Sequence, residues 1–165
     1  MQADQIRKLF DYHFASIHKL WDRAVDHLDD DQFSQEVKGY GGSVHRQLVH
    51  MSDIDRSWIS VLAGEEWLGT QDHTNFPDKE SVRAYAEQSE ALVRGYLERL
   101  NDETLTEIFS KWGKELQIWE VLIHMIGHGI DHRSLLLTML NQLGVETFEQ
   151  DYVLYAFGGS WPSEG

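Results

Sequence analysis

The sequence predicts an all-α protein, a four-helix bundle with long inter-helix links and a small β-hairpin before the last helix. Three observations carry this. Four separate stretches place apolar residues at steps of three and four, the repeat of a helix with one buried face. The only two prolines, Pro77 and Pro162, fall outside all of them. The 165 residues are enough for one core and too few for two ordinary ones, so residues 1–165 are expected to form a single domain.

The first helix is expected over residues 4–28, where Ile6, Phe10, Phe14, Ile17, Leu20, Trp21, Val25 and Leu28 follow the helical step. The acidic run Asp29-Asp30-Asp31 then reads as a helix-ending loop. Ser43 is suited to cap a second helix carrying Val44, Leu48, Met51, Ile54, Trp58 and Leu62, stopped by Gly64. A third is expected over residues 78–100, with Asp78 and Glu80 in the first turn where the helix dipole favours acids. The link from 64 to 77 could span about 45 Å if extended. A twenty-residue helix is about 30 Å long, so this link permits parallel second and third helices. Around Trp112-Gly113-Lys114, β-branched and aromatic residues alternate loosely, which suggests the hairpin. The last and most apolar helix is expected over 119–143, ending at Gly144, and the tail from Gly158 reads as coil.

Composition removes whole classes of function. Twenty-eight acidic against fourteen basic side chains give a formal charge of -14, which repels nucleic acid and anionic membrane surfaces. There is no cysteine, so any metal must be held by histidine or oxygen. Residues 1–9 carry no export signal. The richest apolar stretch, 118–143, is interrupted by Glu120, Asp131 and Arg133, too polar for a spanning helix. A soluble, cytoplasmic protein with a small-molecule substrate is expected.

Among nine histidines, His128 and His132 fall inside the apolar arc of the last helix. Four residues apart, their rings lie one turn from each other and can converge on one ion, which would satisfy two rings that are otherwise costly to bury. His50 lies at the rim of the second helix's arc, from which a third ligand could come. His124 is the weaker candidate on the last helix, beside Glu120 and Asp131. His13 is expected as a hydrogen-bonded core residue, while His18, His27, His45 and His73 look solvated. No Glu-x-x-His pair of a di-iron bundle and no HExxH motif occurs. Ser16-x-x-Lys19 stands without its companion motifs, and no glycine-rich phosphate loop exists. Glu120, Asp53 and His124 are the nearest general-base candidates by helical position.

The run Leu122-Ile123-His124-Met125-Ile126-Gly127-His128-Gly129-Ile130-Asp131-His132-Arg133, followed by Leu140-Asn141-Gln142-Leu143-Gly144, resembles the last bundle helix of the DinB family of metalloproteins. Ser43-Val44-His45-Arg46-Gln47-Leu48-Val49-His50-Met51, continuing to Trp58, is similar to that family's second helix. Tyr12, Gly113 and Asp151-Tyr152 extend the match over essentially the whole chain. The resemblance implies His50, His128 and His132 as metal ligands, an up-down-down-up bundle and a homodimer. Where the family usually reads His-Arg-Gly-Gln after the last ligand, this chain has His132-Arg133-Ser134-Leu135. Related proteins include transferases and isomerases that use low-molecular-weight thiols such as bacillithiol or mycothiol. Three imidazoles leave positions open on zinc, nickel or iron(II), the layout of a catalytic site. The leading expectation is therefore a metal-dependent thiol S-transferase. A metal-dependent hydrolase and a non-catalytic, stress-related metal- or small-ligand-binding protein are the alternatives.

Overall fold

A computed structural model describes residues 1–158. They are mostly helical: α1 (Ala3–Arg23), α2 (Asp30–Ser34), α3 (Val44–Leu62), α4 (Lys79–Arg99), α5 (Ile118–Gln142) and α6 (Tyr152–Ala156), with β1 (Ile108–Lys111) and β2 (Lys114–Gln117) forming one antiparallel hairpin. Most of the expected coil tail lies outside the described residues. Among the described helices none is long and apolar enough to cross a membrane.

The expected Ser43 cap forms, and Asp78, expected in the first turn, caps its helix from one residue before it. Ser43 Oγ accepts from the Arg46 amide at 3.1 Å and Asp78 Oδ1 from the Ser81 amide at 2.8 Å, each satisfying a donor that a helix start leaves free. The hairpin turns on Trp112 and Gly113, both with positive φ (54° and 72°), the pairing that a two-residue turn between twisted strands requires.

Three expectations are corrected. The first helix ends at Arg23, not at 28, because Ala24 leaves helical geometry (φ -137°, ψ -56°) and a single 3-10 turn follows at Val25–His27. The apolar spacing continues regardless, since Val25 and Leu28 are buried by that turn. The three aspartates are not a loop. Asp29 caps α2, its side chain accepting from the Gln32 amide at 2.8 Å while Gln32 Oε1 accepts from the Asp29 amide at 3.0 Å, and Asp30 and Asp31 occupy the first turn. His45 is buried, not solvated, because α2 lays Phe33 flat against its ring at 5.0 Å. Helix α6, too short for periodicity to reveal, packs Tyr152 and Tyr155 on Tyr12.

Two apolar clusters make the core. One gathers Ile6, Phe10 and Phe14 of α1, Ile59 of α3, Val93 and Leu97 of α4, and Leu122, Met125 and Ile126 of α5. The other gathers Leu20 and Trp21, Val44 and Leu48, Val82, and Leu136, Met139 and Leu140 from the same four helices. Near where one cluster gives way to the other along each helix lies buried polar material: His13 and Ser16, Ser52 and Asp55, Ser89, and Arg133. The candidate site sits on α3 and α5 alongside this polar layer.

Candidate metal centre

α3 and α5 pack against each other, which brings His50 to the pair His128 and His132. Ring centroids are 4.2 Å apart for His128 and His132, 4.8 Å for His50 and His132, and 5.5 Å for His50 and His128. One ring nitrogen from each lies within 4.8 Å of the other two. Among the described residues this is the group of histidine and carboxylate side chains whose ligand atoms converge in this way.

All three rings favour the neutral form. Burial pushes His128 down to about 4, with its His132 and His50 neighbours adding to the effect. Burial likewise lowers His132, helped by His50, and lowers His50 against the opposing pull of Asp53. Neutral imidazoles offer lone pairs, which is the state a transition metal needs. Gln47, one turn before His50 on α3 and buried, accepts a hydrogen bond at its Oε1 from His132 Nδ1–H at 3.0 Å. An amide oxygen only accepts, so Nδ1 carries the proton and Nε2 of His132 keeps its lone pair. The residues present therefore fit a divalent transition metal held by three imidazoles, with further coordination positions open.

A cavity of about 500 Å³ opens beside His50 and His132, lined also by Arg46, Gln47, Asp53 and Gln71. Asp53 spends both oxygens, accepting from Tyr85 O–H at 2.7 Å and from the Gln71 amide at 2.9 Å. Burial raises its pKa, and burial with the Asp53 bond raises that of Tyr85. This pair ties α3 to α4 and to the following link. Of the other two base candidates, Glu120 accepts from the Gln117 amide at 2.7 Å and so caps α5. His124 is exposed, its ring 6.1 Å from His128 and 5.3 Å from Trp58.

His13 lies apart from the triad as a hydrogen-bonded core residue. Arg133 Nη1 donates to its Nδ1 at 2.8 Å, so its Nε2–H donates to Asp55 Oδ2 at 3.2 Å. The buried Arg133 also donates from Nε to Gln150 Oε1 at 3.0 Å, and Gln150 Nε2 donates to Ser134 Oγ at 2.8 Å. Gln47, Asp55, Arg133 and Gln150 escaped the sequence reading. For Gln47 a signal existed, since three residues before His50 is the same helix face.

Comparison with known proteins finds relatives along most of the chain. A family model described as the DinB family matches residues 1–162. The curated Protein DinB of Bacillus subtilis (strain 168) is 25% identical over 165 residues, covering 94% of this chain and 95% of its own. Among solved structures, a dinb-like protein from Bacillus cereus aligns with a TM-score of 0.68 at 20% identity, covering 90% of this chain and 97% of that one. A conserved protein from Enterococcus faecalis aligns at 0.60 and 17% identity over 84% and 95% of the two chains. A dinb family member from Shewanella denitrificans aligns at 0.51 and 21% identity over 99% and 90%.

Proposed function

The chain belongs to the DinB family, and from that premise we propose that His50, His128 and His132 bind one divalent transition metal, zinc, nickel or iron(II), at a centre that activates a low-molecular-weight thiol for transfer to a small electrophilic substrate. The observation that carries this reading is the convergence of three ring nitrogens within 4.8 Å on rings that burial keeps neutral. When bound, the ion would supply the positive charge that favours an ionised thiol. The chain's own side chains do the positioning. Gln47 holds the His132 ring in one tautomer, and Arg46 brings a cation to the cavity wall, suited to the carboxylates of such thiols. Without cysteine of its own, the protein would take its sulfur from the cofactor.

The same premise supports an up-down-down-up four-helix bundle and a homodimer with no nucleic-acid partner. The first of these is favoured by the residues sharing each core cluster, which pair the start of α1 with the start of α5 and the ends of α3 and α4. The experiment is elemental analysis of protein purified without an affinity tag. About one equivalent of metal is expected, lost in His128→Ala. Absence of zinc, nickel and iron after reconstitution would end the metal reading. With metal bound, thiol analogues should perturb the spectrum of the cobalt-substituted protein, and silence across bacillithiol, mycothiol and glutathione analogues would reject the thiol reading alone.

A further inference from the structure

A second cavity, of about 260 Å³, opens between α1, α3 and α4 and shares no lining residue with the one beside the triad. Its apolar lining includes Phe14, Ile17, Trp21, Leu48 and Met51. Asp55 also lines it, five residues after His50 and so about 140° around α3 from the triad.

The polar lining is predominantly acidic: Asp22, Asp55, Glu87 and Glu90 against Arg83 and His18. The basic side chains are already committed. Arg83 donates twice to Asp26 at 2.7 Å, pairs with Asp22 at 3.7 Å and lies over the Trp21 ring at 4.8 Å. His18 is 2.6 Å from Glu90, whose other oxygen accepts from Arg94 at 2.7 Å. Asp55 differs from the rim acids. It is 6% exposed, and while Oδ2 accepts from His13, Oδ1 accepts from no donor among the described residues. That oxygen is open to the cavity beside an apolar wall, and the group that best complements it there is a cation bearing N–H donors. A divalent metal is not the fit, because the carboxylates here do not converge as ligands.

We propose that this cavity binds a small organic amine, with its ammonium on Asp55 Oδ1 and its apolar body against Phe14, Trp21, Leu48 and Met51. The site is separate from the cavity beside the metal centre, with no lining residue in common. The volume suits a compact ligand, at or just below the small end of the range for small-molecule pockets.

The test is titration of the full chain, metal-loaded and chelator-treated, with phenethylamine and with the neutral phenethyl alcohol, read in amide and indole resonances by NMR. The amine is expected to shift resonances of Trp21 and of residues 51–55 and 86–90 in both forms, and the alcohol to bind at least tenfold more weakly. Asp55→Asn keeps the oxygen that accepts from His13 and removes the charge, and it should weaken amine binding at least tenfold. Should that variant misfold, Ala86→Phe, placed at a half-exposed lining position on α4, should fill the cavity and abolish the shifts. Equal binding of alcohol and amine, undiminished binding by Asp55→Asn or Ala86→Phe, or no shift at these residues up to the solubility limit of the amine would each overturn the proposal. Loss of metal without loss of amine binding would leave it standing while the metal reading fell.

Discussion

Replacing Gly129 with alanine tests the polar layer directly. A methyl at residue 129 would lie 2.2 Å from His13 Cε1, 2.6 Å from His13 Nδ1 and 3.3 Å from Arg133 Nη1. The first two separations are far inside van der Waals contact, so the His13 ring, 1% exposed, must move within a packed interior. Such overpacking costs about 1–3 kcal/mol. Moving the ring also breaks its bonds to Arg133 and Asp55, and each buried polar group left without a partner costs about 1–3 kcal/mol more. Against this, alanine is favoured over glycine in a helix by about 1 kcal/mol. The net expectation is a loss of at least about 2 kcal/mol, or at least roughly 4–8 °C in Tm for a chain of this size. The assay is urea unfolding followed by circular dichroism, in chelator so that metal does not contribute. Gly127→Ala is the control, since its methyl meets nothing within 4 Å and should leave stability equal or slightly higher. His13→Ala combined with Gly129→Ala should cost less than the sum of the two single changes, because the clash has gone. Equal midpoints for Gly129→Ala and Gly127→Ala would refute the argument.

Gln47→Ala should lower metal affinity about 10–100-fold in a chelator competition with the fold intact, as loss of an orienting partner does elsewhere; unchanged affinity would remove Gln47 from the site. In the metal-free protein, lowered His128, His50 and His132 bind protons less readily than in the unfolded chain, so their contribution is complete above the ordinary histidine value. It is lost as pH falls from about 6.5 towards about 4, and the urea midpoint should drop across that window, less so in His128→Asn. Buried His45 adds to the same trend and Asp53, with a raised pKa, opposes it at the acid end, so the difference between wild type and variant is the quantity to measure. Asp78→Ala and Asp29→Ala each remove a cap and should cost about 0.5–2 kcal/mol, read as a shift in midpoint at constant m.

The parts of this molecule that local sequence could reveal are those whose partners are close along the chain. His128 and His132 sit one turn apart on one helix, and Ser43 caps an amide three residues away, so spacing alone finds them. His50 needed the packing of α3 on α5 to become a third partner, and spacing could only nominate it. Asp55 and Arg133 reach His13 across 42 and 120 residues, and Gln47 reaches His132 across 85, separations at which periodicity carries no information. The end of α1 was hidden for another reason. Apolar spacing reports which side chains are buried, and Val25 and Leu28 are buried equally well by a 3-10 turn. His45 misled because its own helix position says nothing of α2, a five-residue segment that covers it with Phe33.

α5 serves the triad and the polar layer with two interleaved pairs. His128 and His132 repeat at four residues, and Gly129 and Arg133 repeat the same spacing one residue on, about 100° around the axis. The first pair meets His50 where burial is partial, and the second is sunk against α1, where the missing side chain at 129 lets His13 lie on the helix and Arg133 bonds the same ring. These contacts resist rotation of α5 about its own axis. That matters to the triad, because a 10° rotation would carry a side chain 5–6 Å from the axis through about 1 Å, and a site built from converging side chains needs them held to about 0.5 Å. Apolar residues in the layer could bury as much surface, but they would slide more readily past one another than a hydrogen-bonded imidazole and guanidinium do. A polar layer between two apolar clusters therefore gives up some apolar burial and in return fixes the angle at which two of the three histidines face the third.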